Sequence, residues 1–266
     1  MKGCAAPLAG ATILGAALPS HAQSDQDLAT QLANPVASLI SVPLQSNWEQ
    51  RIGPVDDGRQ YRLNVQPVIP FSLSPDWNLI TRWILPVVRQ TDIFPGAGTQ
   101  TGTGDLLASF FFSPARPTAD GWIWGAGPVL LAPTGSNDLT TTDRWGLGPT
   151  GVALRQQGPW TFGALANHVW SIGGSSTRPD ISTTFVQPFT TYTTADGWSF
   201  TLQAEASYDW ERSDASIPVT ALVGKVLRLG PMPIQINLGP RYYVSHFDNG
   251  PKGWGARLSV TLLFPR

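Results

Sequence analysis

Ten polar side chains recur at alternate positions of largely apolar segments, and they are the residues best placed to do chemistry together. Alternation along an extended strand sends such side chains to one face of a sheet. If that face lines the inside of a closed sheet, its arginines and carboxylates set the charge of the interior. We predict that ten residues line such a lumen and are pore candidates: Arg62, Asn64, Gln66, Arg82, Gln203, Glu205, Asp209, Asn237, Arg241 and Arg257.

Catalytic groupings with the spacing that an enzyme needs are not found in the sequence. His168 lies three residues before Ser171, but a nucleophile and its base must lie within hydrogen-bond reach, and no nucleophile motif surrounds them. The glycine-rich run that ends at Asp105 lacks the Gly-Lys-Ser/Thr of a phosphate loop and precedes a strand. We predict no catalytic residue, no metal site and no cofactor, and expect that the chain is not an enzyme.

The composition excludes several classes of protein. The chain has 266 residues, with 17 Lys and Arg against 18 Asp and Glu, and a formal net charge of −1. Charged residues are 13% of the total, about half of the roughly 25% that is usual in soluble domains. Nothing is basic enough to hold a nucleic-acid backbone. A single cysteine excludes a disulfide framework.

Residues 1–22 have the features of a secretory signal peptide. Lys2 supplies a positive start, a small apolar stretch follows, and small residues precede a cleavage point near Ala22-Gln23. The stretch is shorter and less hydrophobic than a membrane anchor requires. We therefore expect export and cleavage.

Residues 23–36 are predicted to form a short N-terminal helical segment. Ser24 can cap a helix over Ser24–Ala33, and Asn34-Pro35 ends it. We expect this segment to be a candidate plug at the periplasmic end of the domain that follows, which we place at residues 37–266.

From about residue 37 onward the sequence alternates with a period of two, which is the pattern of half-buried strands. In 197–210, the clearest strand, Phe200 and Leu202 share one face, predicted to point outward, while Gln203 and Glu205 share the inward face. About twelve strands are predicted, at 37–48, 60–71, 77–90, 105–114, 121–133, 145–156, 160–172, 181–193, 197–210, 216–228, 232–244 and 254–264. The facing of 121–133 and 145–156, which are rich in Gly and Pro, is left open.

The connections and the tryptophans indicate where this domain resides. Long and short connections alternate broadly along the chain, as in barrels with external loops and periplasmic turns. Nine tryptophans lie at or near strand ends, as expected where hydrocarbon meets water: Trp48, Trp77, Trp122, Trp145, Trp160, Trp170, Trp198, Trp210 and Trp254. We predict an all-β fold, a transmembrane antiparallel β-barrel of the bacterial outer membrane. A soluble periplasmic β-sandwich binding protein is the alternative, although its strands would usually be shorter.

Six runs, in order along the chain, carry a resemblance to a known family: NPVASLISVPLQSNWE (34–49), QYRLNVQPVIPFSLSPDWNLITRWILPVV (60–88), GTGDLLASFFFSP (102–114), WGAGPVLLAPT (124–134), FVQPFTTYTTADGWSF (185–200) and LSVTLLFPR (258–266). They resemble the meta-pathway phenol-degradation family of bacterial outer-membrane proteins, often called transporters. The resemblance implies an outer-membrane barrel with a role in the uptake of aromatic or other hydrophobic compounds. It supplies no catalytic residues.

Two functions from different classes follow. The first is passive passage of small molecules, aromatic or hydrophobic in kind, as in a channel or transporter. The alternative is a non-transporting structural barrel or a hydrolase on the lipid face. Outer-membrane lipids and a small solute are the expected partners, nucleic acid is excluded, and the oligomeric state is left open.

The predicted strand directions also place charges along the lumen. Arg62, Arg241 and Arg257 should cluster on one upper wall, with Glu205 near mid-height and Asp209 near the mouth. Two outcomes are open: the acids pair with the arginines and seal the barrel, or a wet constriction remains. Three positive charges against two negative charges predict a mild anion preference in the second case.

Overall fold

The computed structural model describes residues 24–264, and within this range the chain forms one helix and one closed sheet. The predicted signal peptide therefore lies outside the described residues. The helix α1 spans Asp25–Leu32. The strands are β1 (Ile40–Ile52), β2 (Gly58–Val65, then Val68–Ser72), β3 (Trp77–Thr91), β4 (Thr99–Thr103, then Leu106–Pro114), β5 (Trp122–Ala132), β6 (Arg144–Gln157), β7 (Trp160–Gly174), β8 (Ser182–Thr193), β9 (Trp198–Ala204, then Ala206–Asp209), β10 (Asp214–Leu229), β11 (Met232–Ser245) and β12 (Gly253–Phe264).

The sheet is a barrel because its last strand pairs with its first. β12 runs antiparallel to β1, with Ile40 opposite Phe264 and Trp48 opposite Ala256. Every other strand pairs with its neighbours in the chain. Closure gives the backbone groups of every strand a partner, which hydrocarbon surroundings demand. The predicted twelve-stranded antiparallel barrel with a short N-terminal helix is confirmed.

The period-two pattern fixes which side chains face out. Phe200 is 47% exposed and Leu202 is 52% exposed on β9, whereas Arg257 on β12 is only 2% exposed. The two Gly- and Pro-rich strands follow the same rule, with Leu154 of β6 fully buried and Leu147 of the same strand 42% exposed. Small residues on these strands weaken the sequence pattern without changing the pleat.

Aromatic side chains form two belts around the outside. All nine tryptophans that the sequence places near strand ends are between 40% and 62% exposed. Trp77, Trp122, Trp160 and Trp198 begin strands at the α1 end, and the other five lie at the opposite end. These belts mark the two interfaces of an apolar band.

Two of the turns at the α1 end contain only two residues, and each depends on glycine. Gly158 and Gly230 have positive φ angles of 56° and 61° and are each followed by proline. A glycine in the first central position is what a two-residue hairpin of the II′ type requires. In the described part of the chain, no helix is long and apolar enough to span a membrane.

Helix α1 lies against the inner side of the barrel at this end. The Ser24 side chain accepts a hydrogen bond from the Asp27 amide at 3.0 Å, as the cap prediction required. Leu28 and Ala29 are 1% exposed and pack in a cluster with Val226 and Leu263 of the wall.

The predicted start of the first strand at residue 37 is wrong by three residues, since β1 begins at Ile40. The amide of Val36 donates to the Asn34 side chain at 2.9 Å, which turns the chain after α1. Val36 then packs on Ile80 and Phe111 in the interior. This segment crosses the barrel interior before it joins the wall, so β1 begins later and extends to Ile52.

Candidate functional site: the barrel interior

The barrel encloses a cavity of about 730 Å³. Ala29, Leu32 and the chain just after α1 border it at one end. Phe247 and Pro251, in the connection between β11 and β12, border it at the other. The cavity therefore extends along the barrel from the α1 end to the loops at the opposite end. Its volume is within the range of small-molecule sites.

Glu205 is the centre of the charged side of this cavity. Arg257 donates two hydrogen bonds to its carboxylate, at 2.9 and 2.8 Å, and Arg241 donates a third to the Oε2 atom. The Nε atom of Arg257 donates to Asn47 at 2.7 Å. Strands β9, β11 and β12 supply the three charged groups, and since β10 lies between β9 and β11, the Glu205 side chain meets both arginines across β10. The bidentate geometry holds the Arg257 guanidinium group in a fixed position, and Arg241 binds the same carboxylate through one oxygen.

A second carboxylate, Glu49, extends this network and was missed by the sequence analysis. It accepts a hydrogen bond from the Tyr243 hydroxyl at 2.5 Å and lies 3.5 Å from Arg241. The sequence prediction ended the first strand at residue 48, which left Glu49 in a loop. Glu49 is two residues beyond Asn47, so continuing the alternation by one step would have predicted it on the inner face.

Two further arginines line the cavity without a carboxylate partner. Arg62 donates to Gln60 at 2.7 Å, and Arg82 donates to Gln66 at 2.8 Å. Among residues 24–264, no carboxylate oxygen lies within 4.0 Å of either guanidinium group. The Nε atom of Arg62 is buried and has no hydrogen-bond partner in the same range. Since arginine keeps its charge at all relevant pH values, these side chains need water or an anion.

The structure places nine of the ten predicted lumen residues at the cavity and leaves one outside it. Asp209 does not border the cavity, which corrects its placement in the sequence analysis. Its carboxylate accepts the amides of Glu211 and Arg212, so it shapes the turn after β9. The nine that border the cavity are Arg62, Asn64, Gln66, Arg82, Gln203, Glu205, Asn237, Arg241 and Arg257.

The opposite side of the cavity is hydrophobic. On the inner face of three adjacent strands, Ile84 of β3 lies opposite Leu107 of β4, which lies opposite Leu131 of β5. We call these three residues the apolar row. β7 and β8 continue the hydrophobic side with Leu165, Val169, Phe185 and Phe189. The cavity thus has a charged side and a side where hydrophobic residues predominate, with polar residues such as Asn167 and Gln187 among them.

His168 was the one candidate for lipid-face catalysis, and its contacts are those of a side chain held in the aromatic belt. Its Nδ1 atom lies 2.7 Å from the Thr184 hydroxyl and its Nε2 atom 3.5 Å from the Ser182 hydroxyl. The ring lies 4.1 Å from that of Trp170, centre to centre. Within the described range, no carboxylate or amide side chain makes a hydrogen bond that would orient the imidazole, as an acyl-transfer triad requires.

Comparison with known proteins gives matches at the level of structure. No protein-family profile and no curated protein matches the sequence. The chain is similar to an outer membrane channel from Pseudomonas putida F1, with a TM-score of 0.68 and 16% identity over 85% of this chain and 96% of that one. It is also similar to the NanC porin (TM-score 0.48, 11% identity, 85% and 100% covered) and to outer membrane phospholipase A from Escherichia coli (0.46, 13%, 91% and 99%).

The first of these similarities shows a shared fold, and the other two are too distant to add to the argument. The closed sheet, its exposed apolar band and its two aromatic belts are the features that a lipid bilayer demands of strands. The chain is a β-barrel of the bacterial outer membrane. Its outer face contacts membrane lipid.

Proposed function

We propose that this chain is a passive channel for small solutes and that the interior cavity is the conducting path. The observation that carries the proposal is the extent of the cavity, from α1 to the external loops. Its hydrophobic side supports passage of aromatic or other hydrophobic molecules. The resemblance to the meta-pathway phenol-degradation family, with its role in uptake of such compounds, agrees with this chemistry.

We also propose a role for each segment of the chain. Residues 1–22 direct export and are removed, and α1 is a plug at the periplasmic end of the barrel of residues 37–266. Support for the plug comes from three contacts: the buried Leu28, the ion pair between Asp25 and Arg228 at 3.1 Å, and the hydrogen bond from Gln156 to the Thr30 carbonyl at 2.8 Å.

The charges at the cavity predict its selectivity. Four arginines border it, namely Arg62, Arg82, Arg241 and Arg257, against the two glutamates Glu49 and Glu205. Four positive charges minus two negative charges leave an excess of two positive charges among the residues that border the cavity. Because charged side chains along a pore set ion selectivity, we expect a modest preference for anions over cations.

The experiment is single-channel recording in planar bilayers, with parent, Leu28→Asp and Gln26→Asp proteins. Leu28→Asp places a carboxylate in an apolar cluster and should release α1, so its conductance should rise several-fold above that of the parent. Gln26→Asp adds the same charge to the same helix outside that cluster and should match the parent. In a salt gradient, the reversal potential of the parent should show anion preference.

Each part of the proposal can fail separately. If neither the parent nor Leu28→Asp conducts as a correctly folded barrel, the channel proposal is wrong. If both conduct equally, the chain is a channel but α1 is not its plug.

A further inference from the structure

We infer that the lumen contains a binding site for a small amphipathic organic acid, with its carboxylate on Arg82 and its hydrocarbon body on the apolar row. This inference rests on the proposed function for its biological meaning, since it names the class of solute. The site itself is a matter of binding and does not depend on conduction.

The first argument is the charge state of Arg82. Its only hydrogen bond to another side chain within residues 24–264 goes to the neutral amide of Gln66. Glu205, the acid whose charge acts on Arg82, is already bound by Arg241 and Arg257. A guanidinium group carries five N–H donors in a planar fork that matches a carboxylate. Arg82 therefore has N–H donors that no other side chain in that range uses, and its positive charge is not fully neutralised by a neighbouring acid.

The second argument is what lies beside Arg82. Ile84 is two residues further along β3, on the same inner face, and it begins the apolar row with Leu107 and Leu131. Arg82 itself lies opposite Ser109 of β4. A cation with free donors thus adjoins a hydrophobic strip that spans three strands, and both border one cavity.

This pairing selects one chemical class. An inorganic anion would satisfy Arg82 but gain nothing from the apolar row, because it has no hydrocarbon to bury. A neutral aromatic molecule would cover the apolar row but leave the Arg82 charge without an anionic partner. A carboxylate joined to a short aliphatic or aromatic body satisfies both. A cavity of about 730 Å³ has room for such a molecule.

Arg62 provides an internal control because it has the same charge in a different setting. It lies on β2 opposite Val88 of β3, six residues along β3 from Arg82. That spacing corresponds to roughly 20 Å of strand. Its removal takes the same charge from the same lumen but leaves the group beside the apolar row in place.

The test is isothermal titration calorimetry on the full-length, detergent-folded barrel with 4-phenylbutyrate and its neutral amide, 4-phenylbutyramide. The parent should bind the acid at least tenfold more tightly than the amide. Arg82→Gln should abolish this preference, whereas Arg62→Gln should change acid affinity by less than about threefold. Leu131→Asn should weaken both probes and preserve the preference for the acid.

The inference is overturned if the parent binds acid and amide equally, or if folded Arg82→Gln retains the preference. The comparison of the two probes on the parent protein needs no variant, so a folding defect in Arg82→Gln cannot hide the answer. Preferential binding without conductance would support this site and refute the channel. Conductance without preferential binding would support the channel and refute this site.

Discussion

Among single residues, Glu205 has the largest share in organising the interior. One carboxylate receives hydrogen bonds from two arginines that reach it from β11 and β12, and Glu49 supports one of them. The side chain of Glu205 is 15% exposed and that of Arg257 only 3%. Charges held this far from water are tolerated because each has an opposite partner at hydrogen-bond distance.

Glu205→Gln should therefore destabilise the barrel strongly. The change removes one partner of a buried network and leaves two guanidinium groups facing each other, which typically costs about 3–5 kcal/mol. The measurement is urea unfolding, followed by the mobility difference between folded and unfolded barrel on gels. Glu211→Gln is the control because Glu211 is exposed beyond β9. An unchanged urea midpoint for Glu205→Gln would show that the network does not stabilise the fold.

Asp56 offers a prediction about pH outside the membrane-spanning strands. It lies in the loop after β1, where hydrogen bonds from Lys252, at 2.6 Å, and from Arg51 lower the pKa of its carboxyl group below the ordinary 3.8. A lowered pKa in the folded state means that the link stabilises the loops above pH 3.8. The stabilisation is lost as the pH falls below that value through the pKa of the folded state.

Lys252→Met should raise the pKa of Asp56 toward its ordinary value, because it removes the largest cause of the shift. Carbon-detected NMR titration of the Asp56 carboxyl group would measure it. Lys225→Met is the matched control, since Lys225 pairs with Asp196 rather than with Asp56. A titration of Asp56 that is the same in parent and Lys252→Met would contradict the assigned cause.

At the scale of elements, the pleat decides what each strand tolerates. Leu202 and Thr201 are neighbours on β9, but Leu202 is 52% exposed on the outer face and Thr201 borders the cavity. Leu202→Arg should cost roughly 2–4 kcal/mol in a bilayer, as for a basic residue near the midplane. Thr201→Arg should cost clearly less because it puts the same charge into a polar lumen. Urea titration in lipid vesicles measures both, and equal costs would mean that the facing of β9 is wrong.

The elements also show how far sequence reasoning reaches. The alternation of β9 and β12 predicted inward and outward faces correctly because neither strand depends on distant contacts for its pleat. The start of β1 was misplaced because residues 35–39 are largely apolar for a different reason: they cross the interior, where Val36 and Leu39 are buried. A short apolar stretch has the same sequence pattern whether it forms a strand or crosses the barrel interior.

At the scale of the whole molecule, closure predicts resistance to unfolding by detergent. Every strand has two neighbours, so there is no free edge at which the sheet opens easily. The mature chain should fractionate with the outer membrane and run faster on a gel before boiling than after. Recovery as a soluble periplasmic protein without detergent would contradict the barrel.

The sequence by itself determined the class of fold, the number of strands, the facing of the clearly alternating strands and the positions of the aromatic belts. These properties are local, since each segment of about a dozen residues contains its own period-two pattern and its own residues at the strand ends. It also identified nine of the polar and charged side chains that border the cavity, for the same reason.

Only the tertiary structure decided which charges meet. Closure brings β12 against β1 and sets Glu205 of β9 within reach of Arg241 and Arg257, while Asp209 turns to the backbone of its own loop. Alternation predicts that a side chain points inward. It does not predict how far the side chain extends across the lumen or which other side chain it contacts. Those outcomes depend on the curvature of the barrel and on strand register, which are properties of the closed sheet. The same properties pair Arg241 and Arg257 with carboxylates and, among residues 24–264, leave Arg62 and Arg82 without one.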